Sequence, residues 1–151
     1  CIINLQGDMP LIESAQIKTV LEPIKNNYPI GTLATNLYEY EKLNSNITKV
    51  LVDWKSNNIG KAIEFFRSKK EINKNSFHHV GIYSFTQESL INFIKLPKSK
   101  NEISLNLEQY RAMDAGIDIG VSFVKNIPLS IDTKEDLITA ESIIRANHEK
   151  N

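Results

Sequence analysis

β-prone runs interleaved with helix-periodic segments restrict this chain to an α/β layered domain. An apolar strand, expected to be buried, opens it, Cys1-Ile2-Ile3-Asn4-Leu5, and runs into Gly7-Asp8 and the turn-forming Pro10. Behind Ser14, a candidate N-cap, Ile17, Val20, Leu21 and Ile24 recur at helical spacing, with Pro23 weakening that helix and Pro29 preventing its continuation. Ile30–Asn36 and Ile47–Asp53 read as strands separated by a polar stretch, Tyr38 to Asn46. Ile59–Arg67 fits neither period cleanly, and we read it as a strand ending at Phe66-Arg67-Ser68. Lys69 to Ser76, rich in Lys and Asn, reads as an exposed loop before a strand over Phe77–Phe85. A helix carrying Leu90, Ile91, Phe93 and Ile94 stops at Pro97, and a second runs from Glu102 to Ala115 and ends at Gly116. Ile119–Val124 is a further strand, and Thr133 starts a last helix bearing Leu137, Ala140 and Ile144.

Eighteen basic residues balance eighteen acidic ones, and no basic stretch is interleaved with aromatics. That excludes the electrostatic footprint of a nucleic-acid or membrane-surface binder and favours small-molecule chemistry. One cysteine cannot form an internal disulfide or a thiolate metal site, and no apolar run has the length of a signal peptide or a membrane span. A reducing, cytoplasmic setting is the expectation. Because the chain starts with Cys1 inside a strand, residues 1–151 are expected to be the C-terminal part of a single domain.

Four clusters carry chemistry. In Gln6-Gly7-Asp8, the glycine allows close backbone approach and Asp8 offers hard oxygens to a divalent cation, although Gly-Asp before Met-Pro also makes a plain turn. On the Phe77–Phe85 strand, alternation puts His79, Gly81 and Tyr83 on one face, a candidate pocket wall; the plainer alternative is bonding to solvent or backbone, and His78 points the other way. In Leu107-Glu108-Gln109-Tyr110-Arg111, the residues Ile103, Leu107, Tyr110 and Met113 form an apolar helix face, and Glu108 and Gln109 lie off it, as pocket groups or plain surface. Thr133 with Asp136 resembles a capping box, and Asp132 before it is either a helix-start residue or a second metal ligand.

Five motifs occur in order: Gln-Gly-Asp-x-Pro-Leu-Ile, Asn-x-Asn-x-x-Lys-Val, His-x-Gly-Ile-Tyr, Leu-Glu-Gln-x-Arg and Asp-Thr-x-Glu-Asp-Leu. From Asn4 to about Arg145 the chain thereby resembles the C-terminal two thirds of the 3-deoxy-manno-octulosonate (Kdo) cytidylyltransferase family, the CMP-Kdo synthetases. The resemblance implies a Rossmann-like nucleotide-diphospho-sugar transferase fold with a mixed sheet, N-terminally truncated. It implies cytidylyl transfer from CTP to Kdo with Mg²⁺, giving CMP-Kdo and pyrophosphate for lipopolysaccharide synthesis, by a cytoplasmic homodimer joined through its middle strands. Asp8 and Asp132 match the family's catalytic, metal-binding carboxylates; His79, Tyr83, Glu108 and Gln109, joined by Gln6, match its Kdo-binding residues; Arg67-Ser68 match a pair of less defined role.

The departures are Met9 in place of Glu, Lys69 to Ile72 in place of an Ile-Pro pair, no Glu near Leu105, and Pro128-Leu129-Ser130 in place of a Gly-rich approach. They leave a related keto acid, 8-amino-Kdo or a sialic-type acid, as the alternative substrate. The family's Pro-Ala-Arg and Ser-Thr-Arg-Leu-Pro-Gly-Lys loop for the nucleotide phosphates is not in this sequence, so the fragment alone is expected to be inactive. A noncatalytic remnant retaining the dimerisation surface is the competing reading.

Overall fold

The computed structural model describes residues 1–68, 72–126, 129–131 and 133–148. In chain order these form β1 (Ile2–Asn4), α1 (Ser14–Thr19), α2 (Glu22–Lys25), β2 (Ile30–Thr35), α3 (Glu39–Lys42), β3 (Lys49–Trp54), β4 (Ile59–Phe66) and β5 (Ser76–Phe85). They continue with α4 (Gln87–Lys95), α5 (Lys100–Leu105), α6 (Tyr110–Asp114), β6 (Ile119–Phe123) and α7 (Lys134–His148). The expected exposed loop from Lys69 lies partly outside the described residues, as do Pro128 and the candidate ligand Asp132.

The strands form one mixed sheet in the order β1-β5-β2-β6-β4-β3, with β2 and β6 parallel and the other neighbours antiparallel. The N-terminal end of β5 also pairs with β3, so β2, β6, β4, β3 and β5 close into a ring. Alternation along each strand divides the apolar residues between two faces. One face gathers Ile30, Ala34, Val50, Phe65, Phe85 and Val121; the other gathers Met9, Val20, Leu33, Val80, Ile82 and Val124. On the second face a Cβ at Gly120 would stand 2.5 Å from Tyr28 Cγ and 2.6 Å from Pro23 Cβ, so this glycine lets α2 and the turn after it lie against the sheet.

Three local expectations are corrected. The opening strand is not buried: β1 is the sheet's edge, bonded only to β5 among the described residues, and Ile2 and Asn4 are exposed. The first helix begins behind Glu13, whose N–H donates to Gln16 Oε1 at 2.7 Å, and it splits into α1 and α2, with Pro23 in the first turn of α2, where its missing N–H costs nothing. The expected helix over 102–115 is two helices. Asn106 adopts φ 53°, the left-handed conformation that Asn tolerates better than most residues, and this ends α5.

Candidate active site

β1 delivers the chain to a turn at Gly7-Asp8, where Met9 inserts into the second core cluster and anchors it. Asp8 is exposed, and its carboxylate has no cationic partner among the described residues. Its backbone carbonyl accepts the Ile131 N–H at 2.8 Å, and its Oδ2 accepts the Ser130 hydroxyl at 3.3 Å. The segment entering the last helix is thus tied to the end of the first strand. Thr133 caps α7: Asp136 N–H donates to Thr133 Oγ1 at 3.2 Å, and Thr133 N–H to Asp136 Oδ2 at 2.8 Å, the capping box expected.

Two cavities are lined in part by β5. The larger, about 860 Å³, is bordered by Gln6, Asp8, His79, Gly81, Ser130 and Thr133. The smaller, about 400 Å³, is bordered by Asn4, Tyr83, Glu108 and Gln109 on its polar side and by apolar residues such as Phe85 and Phe93 on the other. The candidate residues therefore fall into two groups, Gln6, Asp8 and His79 against Tyr83, Glu108 and Gln109, while Asp132 lies outside the described residues. The His79 and Tyr83 rings lie 5.5 Å apart at 49°, so the two groups touch across β5.

His79 is less open than strand alternation suggests. It is 7% exposed, meets Phe65 edge-on at 5.0 Å, and places Nε2 2.9 Å from Thr32 Oγ1. Burial lowers its pKa to about 3, with a lesser push from His78, so the ring is neutral at physiological pH. Burial and the charge of Glu108 raise the Tyr83 pKa, keeping its hydroxyl protonated. His78 points away, its Nδ1 3.0 Å from Glu41 Oε1.

Glu108 and Gln109 sit in the connection between α5 and α6 rather than on a continuous helix, and Ile103 is exposed rather than part of an apolar face. What holds the connection is Glu102: it closes a capping box with Ser99 and receives Arg111 at two points, Nε to Oε2 at 2.9 Å and Nη2 to Oε1 at 2.5 Å. The Arg111 guanidinium also lies 4.9 Å over the Phe93 ring. The pair holds the Glu102 carboxyl below the usual range, chiefly through the Arg111 hydrogen bonds. Gln109 is 8% exposed and its amide has no hydrogen-bond partner among the described residues, an unmatched donor and acceptor beside the smaller cavity. Arg67 is turned to structure: its Nη1 donates to the Asn46 carbonyl at 3.0 Å, next to Lys49, whose buried Nζ donates to the Asn44 and Arg67 carbonyls. Burial lowers the Lys49 pKa.

Sequence reasoning did not find Thr32, Asn4 or Ser130. Asn4 reaches Tyr83 through the β1–β5 register, Thr32 reaches His79 across the sheet, and Ser130 reaches Asp8 from 122 residues away. None leaves a local signature in sequence.

Residues 1–119 match the family described as cytidylyltransferase. The chain is 34% identical over 146 residues to the 3-deoxy-manno-octulosonate cytidylyltransferase of Parvibaculum lavamentivorans, covering 95% of this chain and 57% of that protein. It is 36% identical over 148 residues to the protein of that name from Sinorhizobium medicae, covering 96% and 59%. The solved structure of CMP:2-keto-3-deoxy-manno-octonic acid synthetase complexed with CTP has the same fold, with a TM-score of 0.84 at 30% identity, covering 96% of this chain and 61% of that one. The chain thus spans between 57% and 61% of the length of these proteins.

Proposed function

The chain belongs to the cytidylyltransferase family, and from that membership we propose that the whole protein transfers the cytidylyl group of CTP to Kdo, releasing pyrophosphate. The observation that carries this reading is the seam between Asp8 and residues 130–131, which ties the acid after β1 to the chain neighbour of Asp132. A carboxylate presented where a strand ends suits a site that gathers phosphates.

The donor set fits a magnesium ion. Mg²⁺ is held by one or two carboxylates together with substrate phosphates and water, and the Asp8 carboxylate is exposed, with no cation against it among the described residues. Asp8 and Asp132 would hold it, and when bound it would relieve the repulsion between an anionic sugar acid and a triphosphate. Neutral His79, protonated Tyr83 and the unpaired Gln109 amide are uncharged hydrogen-bonding groups suited to hydroxyls, and Glu108 adds an acceptor. Held in this way, the anomeric hydroxyl attacks the α-phosphorus in line as pyrophosphate leaves, and positioning supplies most of the rate. No covalent enzyme intermediate is required.

No helix among the described residues is long and apolar enough to cross a membrane. A cytoplasmic homodimer is part of the same proposal; the exposed Leu43 and the outward Ile63 of β4 offer apolar area for it. The test is pyrophosphate release by the full-length protein from CTP and Mg²⁺, with Kdo or a sialic acid as acceptor. Release with Kdo is expected. Release only with the sialic acid moves the chain to a related substrate, and release with neither overturns the reading.

A further inference from the structure

The pairing of β2 with β5 jumps from Thr32↔Tyr83 to Leu33↔Val80, so Gly81 and Ile82 bulge out of register. The Thr32 hydroxyl sits in that bulge with three neighbours: the Ile82 carbonyl at 2.9 Å, the Val80 carbonyl at 3.3 Å and His79 Nε2 at 2.9 Å. Thr32 is fully buried, so no solvent can substitute for any of them.

A hydroxyl has one proton, and a carbonyl can only accept. If that proton went to His79, Thr32 Oγ1 would face the Ile82 oxygen at 2.9 Å with nothing between two lone-pair-bearing atoms. Donation to the Ile82 carbonyl removes the clash and leaves Oγ1 as an acceptor, which only an N–H at Nε2 can satisfy. We infer that Thr32 is a positioning residue that fixes His79 as the Nε2–H tautomer, leaving Nδ1 a bare acceptor for a donor entering the larger cavity. Nδ1 has no partner among the described residues, and His79 borders that cavity. The donor it suits is a sugar hydroxyl, an assignment that rests on the function proposed above. The opposite tautomer would present an N–H and select an acceptor, such as a carboxylate, at the same point.

The test is ¹⁵N–¹H correlation spectroscopy of the histidine side chains in the full-length protein at neutral pH, with His79 assigned by His79→Gln. The expected spectrum has the His79 proton on Nε2. Thr32→Val keeps the shape but removes the acceptor; it should mix the tautomers and raise KM for Kdo about tenfold, with kcat little changed. Thr32→Ser should restore both. A His79 proton on Nδ1 in the unmodified protein overturns the inference, and that spectrum decides even where Thr32→Val does not fold. An unchanged tautomer in folded Thr32→Val also overturns it. An Nε2–H signal in a protein that releases no pyrophosphate with Kdo upholds the tautomer and sinks the function, so the two failures read differently.

Discussion

His79 shows at the scale of one side chain how burial that readies a group for binding also costs stability in acid. Its folded pKa is near 3, against about 6.5 for an unperturbed imidazole. Between those values the unfolded chain binds a proton that the native chain does not, so stability falls as pH drops through that window and is flat above it. Urea midpoints measured from pH 8 to pH 4 should decline below about 6.5, and His79→Gln should flatten the decline. Asp8 is the opposite case, exposed, its carboxylate bonded to the Ser130 hydroxyl alone among the described residues. Asp8→Asn should lower pyrophosphate release on the order of 100-fold while moving unfolding free energy by no more than about 0.5 kcal/mol. An equal loss from both assays would make Asp8 a structural residue. The sequence marks both residues as candidates, but not that one is buried and the other open. The partners that decide it, Phe65 and Thr32 for His79, come from other strands.

Among the elements, the strands are legible and the helix ends are not. The runs over Ile30–Asn36, Ile59–Arg67 and Phe77–Phe85 differ from β2, β4 and β5 by a residue or so, because dense β-branched and aromatic residues bounded by turn formers leave little choice. The break between α5 and α6 escaped because Asn106 signals a left-handed cap only weakly, and the Glu102–Arg111 pair that secures it joins residues on either side of the break. The local sign was Ser99-x-x-Glu102, a capping box that starts the helix at Lys100 rather than Glu102. Two glycines test the packing of these elements. Gly120→Ala drives a methyl group into Tyr28 and Pro23 and should cost about 1–3 kcal/mol in chemical denaturation. Gly81→Ala, with nothing within 4 Å, should change stability by less than about 0.5 kcal/mol. Equal costs at the two positions would contradict the close approach of α2 to the sheet.

Over the whole molecule, the α/β class and the mixed sheet follow from the order of elements, whereas the ring closure does not. It depends on β5 being long enough to meet β3 at one end and β1 at the other, with β2 along its far side. Amides of β5 should accordingly be among the slowest to exchange in native-state hydrogen exchange, and those of β1, bonded to one strand among the described residues, markedly faster. Comparable protection in the two strands would show that the edge is covered. The seam at Asp8 has a consequence in time as well as in space. Asp8 and Ser130 are joined across 122 residues, so at a synthesis rate of about 5–20 residues per second Asp8 is made roughly 6–24 s before its partner exists. Through that interval the strands between them can pair, but the acid waits, and the seam closes only after the sheet that separates its two ends has been made.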